Sequence, residues 1–306
     1  MKNNLDSFSM VVPDLAPAVS LFHSVFGAEE LDRGTVNDHG AAARQAVLSL
    51  DPHTRLRLFE YEKTSGSPFT ASVTDIGTAH FCFRVGDIEK ATQFIKHCSG
   101  IRVLGEITEI PDGPLRHHKW VYFRLPWGAF CELQEWPETP SAEAQLLFHD
   151  QLSQHRSPVP TMMGLDHVGY SVRDLESAVE LLEGSLGGKR ILGSVTEADE
   201  SFMLRQFEEA VSVRMKMAMV RIGEHTNIEL FEHVVADRRG LAERLDIGNS
   251  RMTFATENPV RSGDELSERF GFSRVGQGST ELLDDEALFT SLSGLDIEFS
   301  RAASRK

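Results

Sequence analysis

Cysteine is scarce in this chain, which has only Cys82, Cys98 and Cys131 among 306 residues. Their odd number and the lack of a C-x-x-C spacing argue against a disulfide framework and against a thiolate zinc site. No apolar run approaches the length that spans a bilayer, and the N-terminus lacks the apolar segment of a signal peptide. We therefore predict a cytoplasmic protein.

Positive charge is also in short supply. The chain has 31 Lys and Arg against 46 Asp and Glu, a formal net charge of −15. Nucleic acids and anionic membranes attract basic surfaces, so neither is an expected partner. The length suggests about two domains. We expect a monomer or a homodimer that acts on a small molecule.

One pattern occurs four times along the sequence. Each copy has a short alternating strand, a turn containing Asp, Pro or Asn, and an amphipathic helix that ends at Gly. The four first strands contain Ser7, His80, His167 and Arg251. Further strand-like segments separated by tight turns follow each helix. The unit is βαβββ, and the predicted fold class is α+β.

The repeat predicts four modules, numbered 1 to 4 in chain order: residues 1–66, 75–136, 163–235 and 246–301. Modules 1 and 2 form an N-terminal tandem pair (1–136), and modules 3 and 4 form a C-terminal tandem pair (163–306). Residues 137–162 carry Pro at both ends around a helical middle, and this composition predicts a linker with a helix.

Two modules carry a His in the first strand and a Glu in the last. These residues are His80 and Glu132 in module 2, and His167 and Glu229 in module 3. Imidazole and carboxylate groups are common ligands of divalent metals. Both Glu residues lie in apolar runs, where an unpaired charge is costly. We predict that the four side chains bind one divalent metal per chain, namely Zn, Ni, Co, Mn or Fe.

The four βαβββ units with these His and Glu positions resemble the vicinal oxygen chelate superfamily. That group includes glyoxalase I, epimerases, extradiol dioxygenases and antibiotic-resistance proteins. A V-x-D-L-x-x-A-V pattern at 12–19 and 172–179 adds to the resemblance. It implies that two modules close into a half-barrel around one metal, which gives two glyoxalase-like half-barrel units in this chain.

The resemblance also assigns the corresponding positions in modules 1 and 4. Module 1 has Ser7 and Arg57 there, and module 4 has Arg251 and Glu298. An Arg repels a metal ion. Pairing module 1 with 2 and module 3 with 4 would therefore leave two incomplete sites. Pairing 2 with 3 and 1 with 4 gives one complete site, and we favour this arrangement, with the second cavity either structural or facing an anion.

The resemblance implies a metal-dependent isomerase or epimerase. Its substrate would be a hydroxy-ketone, such as a keto-sugar or keto-cyclitol, that reacts through a metal-stabilised enediolate. Glu132 or Glu229 would be the general base, and the sequence does not choose between them. The alternatives are an extradiol dioxygenase, a glyoxalase I-like lyase and a non-catalytic binding protein. Arg251 argues against the dioxygenase, which takes its ligands from modules 3 and 4.

Hairpin register predicts which other side chains face the metal. With turns centred on 126–127 and 224–225, Glu132 lies opposite Val121 and Glu229 opposite Val220. Four cationic or titratable side chains would then line the cavity and hold a phosphate or carboxylate: Lys119, His117, Lys216 and Arg214. A shift of one residue would instead place His118 and Tyr122 inside. The alternating Met215, Met217 and Met219 are predicted to pack against helices.

Overall fold

The computed structural model describes residues 4–62, 71–148, 156–235, 243–276, 286–291 and 293–302. Module 1 contains β1 (Asn4–Val11), α1 (Leu15–Phe26), β2 (Glu29–Asp38), β3 (Ala41–Ser49) and β4 (Arg55–Tyr61). Module 2 contains β5 (Ala79–Val85), α2 (Ile88–Lys96), β6 (Arg102–Val103), β7 (Thr108–Glu109), β8 (Lys119–Arg124) and β9 (Phe130–Glu135). The predicted linker contains α3 (Ala142–Gln145), while 149–155 lie outside the described residues.

The C-terminal half repeats the order. Module 3 contains β10 (Met162–Ser171), α4 (Leu175–Leu186), β11 (Gly188–Ala198), α5 (Glu200–Phe207), β12 (Val213–Ile222) and β13 (Thr226–Val234). Module 4 contains β14 (Met252–Thr256), α6 (Pro259–Phe270), β15 (Ser273–Arg274), β16 (Glu286–Thr290) and β17 (Ile297–Arg301). The α+β class and the repeated strand–helix–strands unit are confirmed. The domain bounds stay a prediction.

The strands form two sheets, and each sheet takes one module from each half of the chain. The first sheet has the order β15-β16-β17-β14-β1-β4-β3-β2 and joins modules 1 and 4. The second has the order β11-β12-β13-β10-β5-β9-β8-β6, with β7 also paired to β8, and joins modules 2 and 3. The favoured pairing, module 1 with 4 and module 2 with 3, is therefore the one observed. The two modules of each tandem pair are adjacent in sequence but belong to different sheets.

The V-x-D-L pattern explains where the helices begin. Its Asp caps the helix N-terminus: Asp14 accepts a hydrogen bond from the backbone of Ala16, and Asp174 accepts one from Ser177. Such caps satisfy backbone donors that the first helical turn leaves free. Gly27 and Gly187 end the same helices at φ of 72° and 74°, a left-handed conformation that Gly adopts without strain.

Aromatic contacts join the two sheets. Phe8 of β1 meets Phe81 of β5 edge to face, with ring centroids 6.1 Å apart. Phe26 of α1 stacks on Phe83 of β5 at 4.7 Å. All four rings are buried in one apolar cluster, and burying each stabilises the fold by about 1.5–3 kcal/mol. Among the described helices, none combines the length and apolar character needed to cross a membrane. The cytoplasmic location stays a prediction.

Candidate metal centre and cavity

Four ionisable side chains converge in the second sheet. The Nε2 atom of His80 lies 3.3 Å from Oε2 of Glu132 and 3.3 Å from Oε2 of Glu229. The Nε2 atom of His167 lies 3.2 Å from Oε2 of Glu229 and 3.7 Å from Oε2 of Glu132. The two Nε2 atoms are 3.3 Å apart, and all four residues are buried. The structure thus brings together the four residues predicted as metal ligands.

Strand register explains this convergence. The antiparallel strands β5 and β10 pair Gly169 with His80 and His167 with Cys82. The parallel neighbours then set Glu132 beside Cys82 and Glu229 beside Gly169. Because Gly169 has no side chain, the His80 ring can lie over its Cα. A Cβ at that position would be 1.9 Å from Cε1 of His80, so any larger residue would displace the His80 ring.

The donor set fits a divalent cation. Ligands bound at about 2.0–2.2 Å are about 3.0–3.4 Å from one another in octahedral or tetrahedral geometry. Neighbouring nitrogen and oxygen atoms in the cluster lie 3.2–3.7 Å apart. Oε2 of Glu132 is buried and accepts no hydrogen bond. A shared cation would satisfy this oxygen and separate two imidazole nitrogens that otherwise face each other.

Attraction between the imidazoles and the carboxylates of the cluster favours the charged form of both groups. Burial would lower the pKa of His80, but the neighbouring carboxylates of Glu132 and Glu229 outweigh it and raise that pKa above its usual value. Burial would raise the pKa of Glu229, but His167 and His80 outweigh it and lower that pKa to about 2. The carboxylates are therefore ionised, as metal ligands must be.

A third carboxylate, that of Asp166, orients the His167 ring. Oδ1 of Asp166 lies 3.0 Å from Nδ1 of His167, and its Oδ2 accepts a hydrogen bond of 2.8 Å from Nε of Arg84. Both partners are buried, and Arg84 also lies over the Phe148 ring at 4.2 Å. A carboxylate behind a ligating His fixes its tautomer and ring orientation. The repeated pattern points to neither Asp166 nor Arg84, although Asp166 directly precedes His167.

A cavity of about 190 Å³ opens beside the cluster. Its size is below the roughly 300–1,000 Å³ of drug-sized pockets, which suits a small metabolite. Its walls are mostly apolar, and the aromatic and thioether side chains among them are Trp120, Tyr122, Trp136, Phe202, Phe207, Phe231, Met215, Met217 and Met219. The polar lining includes Glu132, His167, Glu229, His118, Gln134, Ser194, Thr196 and His233.

The predicted hairpin register was wrong by one residue. Glu132 pairs with Tyr122 rather than Val121, and Glu229 pairs with Met219 rather than Val220. Both hairpins have three-residue loops, 126–128 and 223–225, in which Gly128 and Gly223 adopt φ of 92° and 64°. The prediction assumed two-residue loops. The extra loop residue shifts the strand pairing by one position, which places the alternate set of side chains on the cavity face.

The shift exchanges the residues that line the cavity on the module 2 side. His118 and Tyr122 face it, as the alternative register predicted, and Trp120 faces it as well. Lys119 is instead paired with Glu135 at 3.4 Å, and exposed His117 contacts Glu109 at 2.6 Å. The Tyr122 ring meets His80 edge to face at 5.4 Å.

The same correction applies to module 3. Lys216 is paired with Glu232 at 2.9 Å, and exposed Arg214 with Glu197 at 3.4 Å, so neither lines the cavity. The alternating methionines, predicted to pack against helices, line the cavity instead. Thioether side chains adapt to irregular surfaces, and here they form one wall.

Helix α5 closes one side of the cavity and was not predicted. Phe202 and Phe207 line the cavity, while Met203 lies in a buried cluster with Tyr122. Asp199 caps the helix by accepting from the backbone of Phe202 at 2.7 Å. The eight residues of α5 are too few for a clear helical period.

The corresponding cavity in the first sheet is filled by ion pairs. Glu298 is contacted by Arg57 at 2.7 Å, by Arg251 at 3.2 Å and by His39 at 3.0 Å. Arg251 also pairs with Asp38 at 2.5 Å. The two Arg side chains therefore face carboxylates of the chain itself. Arg251 stands where a metal-ligating His would be and is paired with Asp38 and Glu298. Modules 3 and 4 therefore lack the ligand set that the dioxygenase alternative requires.

The comparisons with known proteins agree with this architecture. A family model described as Glyoxalase/Bleomycin resistance protein/Dioxygenase superfamily matches residues 4–133. A relative from Actinomyces sp, named 2-epi-5-epi-valiolone epimerase, is 36% identical over 146 residues, which cover 44% of this chain and 80% of that protein. The chain belongs to the glyoxalase/bleomycin resistance protein/dioxygenase superfamily.

Among solved structures, glyoxalase I from Zea mays matches over 98% of this chain and 92% of its own, with a TM-score of 0.64 and 18% identity. At this identity the match establishes the fold and no more. It extends over both halves of the chain, whereas the family model ends within module 2.

Proposed function

We propose that this protein is a metal-dependent epimerase of a polyhydroxylated ketone. The observation that carries the proposal is the buried cluster of His80, Glu132, His167 and Glu229 beside a cavity of metabolite size. The relative named 2-epi-5-epi-valiolone epimerase supports a cyclitol ketone as the substrate class.

The four clustered residues would hold the cation, with Asp166 orienting the His167 ring. A divalent cation bound there supplies Lewis-acid chemistry, which makes a C–H bond next to a carbonyl more acidic. Epimerisation requires that this proton leave one face of the carbon and return on the other. Glu132 and Glu229 border the cavity and are the carboxylates that would carry it. The aromatic residues of α5 would exclude water from the reacting carbon.

Solvent deuterium exchange tests the proposal. The purified protein is stripped with a chelator, reloaded separately with Ni, Co, Zn and Mn, and incubated with 2-epi-5-epi-valiolone in deuterium oxide. Proton NMR should show deuterium at the carbon next to the carbonyl, together with a second epimer, only with the loaded protein. His80→Ala and His167→Ala should lose this activity and the stoichiometric metal. His53→Ala, which changes an exposed His, should retain both.

Two further variants separate the roles of the carboxylates. Glu132→Gln and Glu229→Gln each keep a ligand oxygen but lose the basic group. The variant at the base should lose exchange by at least about 100-fold, the usual contribution of general-base catalysis. Wild-type protein that takes up no metal after reloading would contradict the proposal. Ligand binding retained by such a protein would instead favour the non-catalytic binding alternative.

A further inference from the structure

Unpartnered polar atoms are concentrated in the wall of the cavity. Four buried side-chain nitrogen and oxygen atoms of cavity-lining residues lack a hydrogen-bond partner among the described residues. These atoms are Nδ1 of His118, Oε2 of Glu132, Nε2 of Gln134 and Nε1 of Trp136. Buried polar groups are normally paired because an unpaired one is costly. The cation accounts for Glu132, which leaves the other three without a partner.

The hydrogen-bonding capacity of these three residues follows from one contact. Nε2 of His118 lies 3.0 Å from Oε1 of Gln134. A carbonyl oxygen only accepts, so Nε2 of His118 carries the hydrogen and donates it. Nδ1 of His118 is therefore an acceptor, while the Gln134 amide nitrogen and the Trp136 indole nitrogen are donors. Burial lowers the pKa of His118, which favours this neutral form.

Flat rings surround this polar set. The His118 ring stacks on Trp136 at 4.1 Å and on Trp120 at 5.7 Å. Both Trp rings line the cavity. One acceptor and two donors held among aromatic faces match a saturated ring that carries hydroxyl groups. Each hydroxyl can donate and accept, and the C–H faces of such a ring are apolar.

Apart from the proposed metal, the cavity has no cationic side chain that could hold an anionic substrate. No Lys or Arg occurs among its lining residues in the described part of the chain. The Lys and Arg side chains of β8 and β12 that were candidates for this role are paired with Glu on other faces of their strands. A phosphate or a carboxylate in this cavity would therefore find no Lys or Arg side chain to pair with.

We infer that His118, Gln134 and Trp136 form the binding surface for hydroxyl groups of an uncharged polyhydroxylated ring, and that phosphorylated and other anionic ketones are excluded. The inference rests on the proposed function and adds to it the charge class of the substrate and the residues that select it. His118, Gln134 and Trp136 are binding residues here, and the proton is moved by the carboxylates.

Steady-state exchange kinetics with metal-loaded protein test the inference. The probes are 2-epi-5-epi-valiolone and the same compound phosphorylated on its primary hydroxyl group. The phosphorylated compound should show at least about a 100-fold lower kcat/KM. Gln134→Leu and His118→Phe should raise KM for the unphosphorylated compound about 10-fold or more, with metal content unchanged. Lys119→Gln, whose side chain lies on the other face of β8, should match the wild type.

A binding measurement separates this inference from the proposed function. The probe is the alcohol obtained by reducing the ketone of 2-epi-5-epi-valiolone, and its binding is measured by calorimetry. This probe cannot undergo proton exchange, so its binding does not depend on catalysis. Binding to the wild type that is lost in Gln134→Leu would support the inference even if no exchange occurred and the proposed function failed. Turnover only of phosphorylated or thioester ketones would overturn the inference while leaving a metal-dependent isomerase. Equal binding by wild type, Gln134→Leu and His118→Phe would also overturn it.

Discussion

Gly169 and His80 occupy facing positions on β10 and β5, and the imidazole ring fills the space that a side chain on Gly169 would need. An added Cβ would be 1.9 Å from Cε1 of His80 and 2.5 Å from its Nε2. The glycine therefore belongs to the candidate metal centre, although it offers no ligand atom.

We predict that Gly169→Ala weakens metal binding by at least about 10-fold, as displaced supporting residues do at other metal sites. The backbone at Gly169 is extended, so the new methyl group acts by moving the His80 ring rather than by backbone strain. Metal affinity is measured by competition with a chromophoric chelator, and folding by circular dichroism.

The control for this variant is Gly34→Ala. Gly34 also lies within a strand, and a Cβ there would meet no atom within 4 Å. This variant should bind metal as the wild type does. Unchanged affinity in Gly169→Ala would show that the His80 ring does not need its observed position for metal binding.

The pair formed by Asp166 and His167 gives a second prediction. Asp166→Asn should reduce metal affinity by about 10–100-fold because the amide holds the imidazole less firmly. It should also destabilise the fold, since Arg84 would keep a buried charge without its carboxylate. Metal titration and thermal unfolding of the same samples measure the two effects.

Asp6→Asn is a matched control, because Asp6 precedes Ser7 as Asp166 precedes His167. Asp6 pairs with the exposed Arg55 at 3.3 Å, an arrangement that contributes little to stability. Its loss should leave metal affinity and unfolding unchanged. If Asp166→Asn binds metal as tightly as Asp6→Asn, then Asp166 does not orient the ligand.

Much of the fold and of the clustered site is predictable because the module is repeated. The repeat fixes the strand and helix order and points to His80, Glu132, His167 and Glu229 as equivalent positions. The pairing of modules followed from charge, since Arg57 and Arg251 cannot share a metal site with His ligands. The element order, the four clustered residues and the module pairing all depend on residue types and on the spacing of the repeat, and both can be read from the sequence.

The cavity walls were harder to predict because they depend on single-residue geometry. One residue in the hairpin loop that contains Gly128 decides whether Lys119 or His118 faces the cavity. Asp166 neighbours His167 and should face the opposite side of a regular strand. The β5–β10 register shifts between Leu165 and His167, and this irregularity accompanies the contact between the two side chains. No sequence period encodes such a shift.

Proton release on metal binding is a third prediction. The carboxylates beside His80 raise its pKa, so the metal-free site holds protons at pH values where an isolated His would lose them. Metal binding must displace these protons, and affinity should fall as the pH falls. Calorimetry in two buffers of different ionisation enthalpy measures the number released.

His53→Ala should release as many protons as the wild type, because this exposed ring lies outside the centre. His80→Ala should release fewer in whatever binding remains. Metal affinity that is independent of pH in the wild type would contradict the ionisation that the cluster imposes on His80.

The ion-pair network around Glu298 should stabilise the first sheet in a pH-dependent way. Burial would raise the pKa of Glu298, but Arg251, Arg57 and His39 outweigh it and hold the pKa well below its usual 4.5. A carboxylate with a lowered pKa contributes stability above its unfolded-state value, and the contribution is lost as the pH falls through the folded-state value. The wild type should therefore lose stability progressively below about pH 4.5.

Glu298→Gln removes the charge that Arg57 and Arg251 share, which should lower the free energy of unfolding by about 3–5 kcal/mol at neutral pH. The variant should also show a shallower loss of stability in acid, because one titrating group with a lowered pKa is gone. Urea unfolding at several pH values measures both effects, and Glu257→Gln, at an exposed Glu of the same module, should change neither. Parallel pH profiles for Glu298→Gln and the wild type would mean that the acid sensitivity arises elsewhere. Metal content should stay the same in both variants, because the network and the metal centre lie in different sheets.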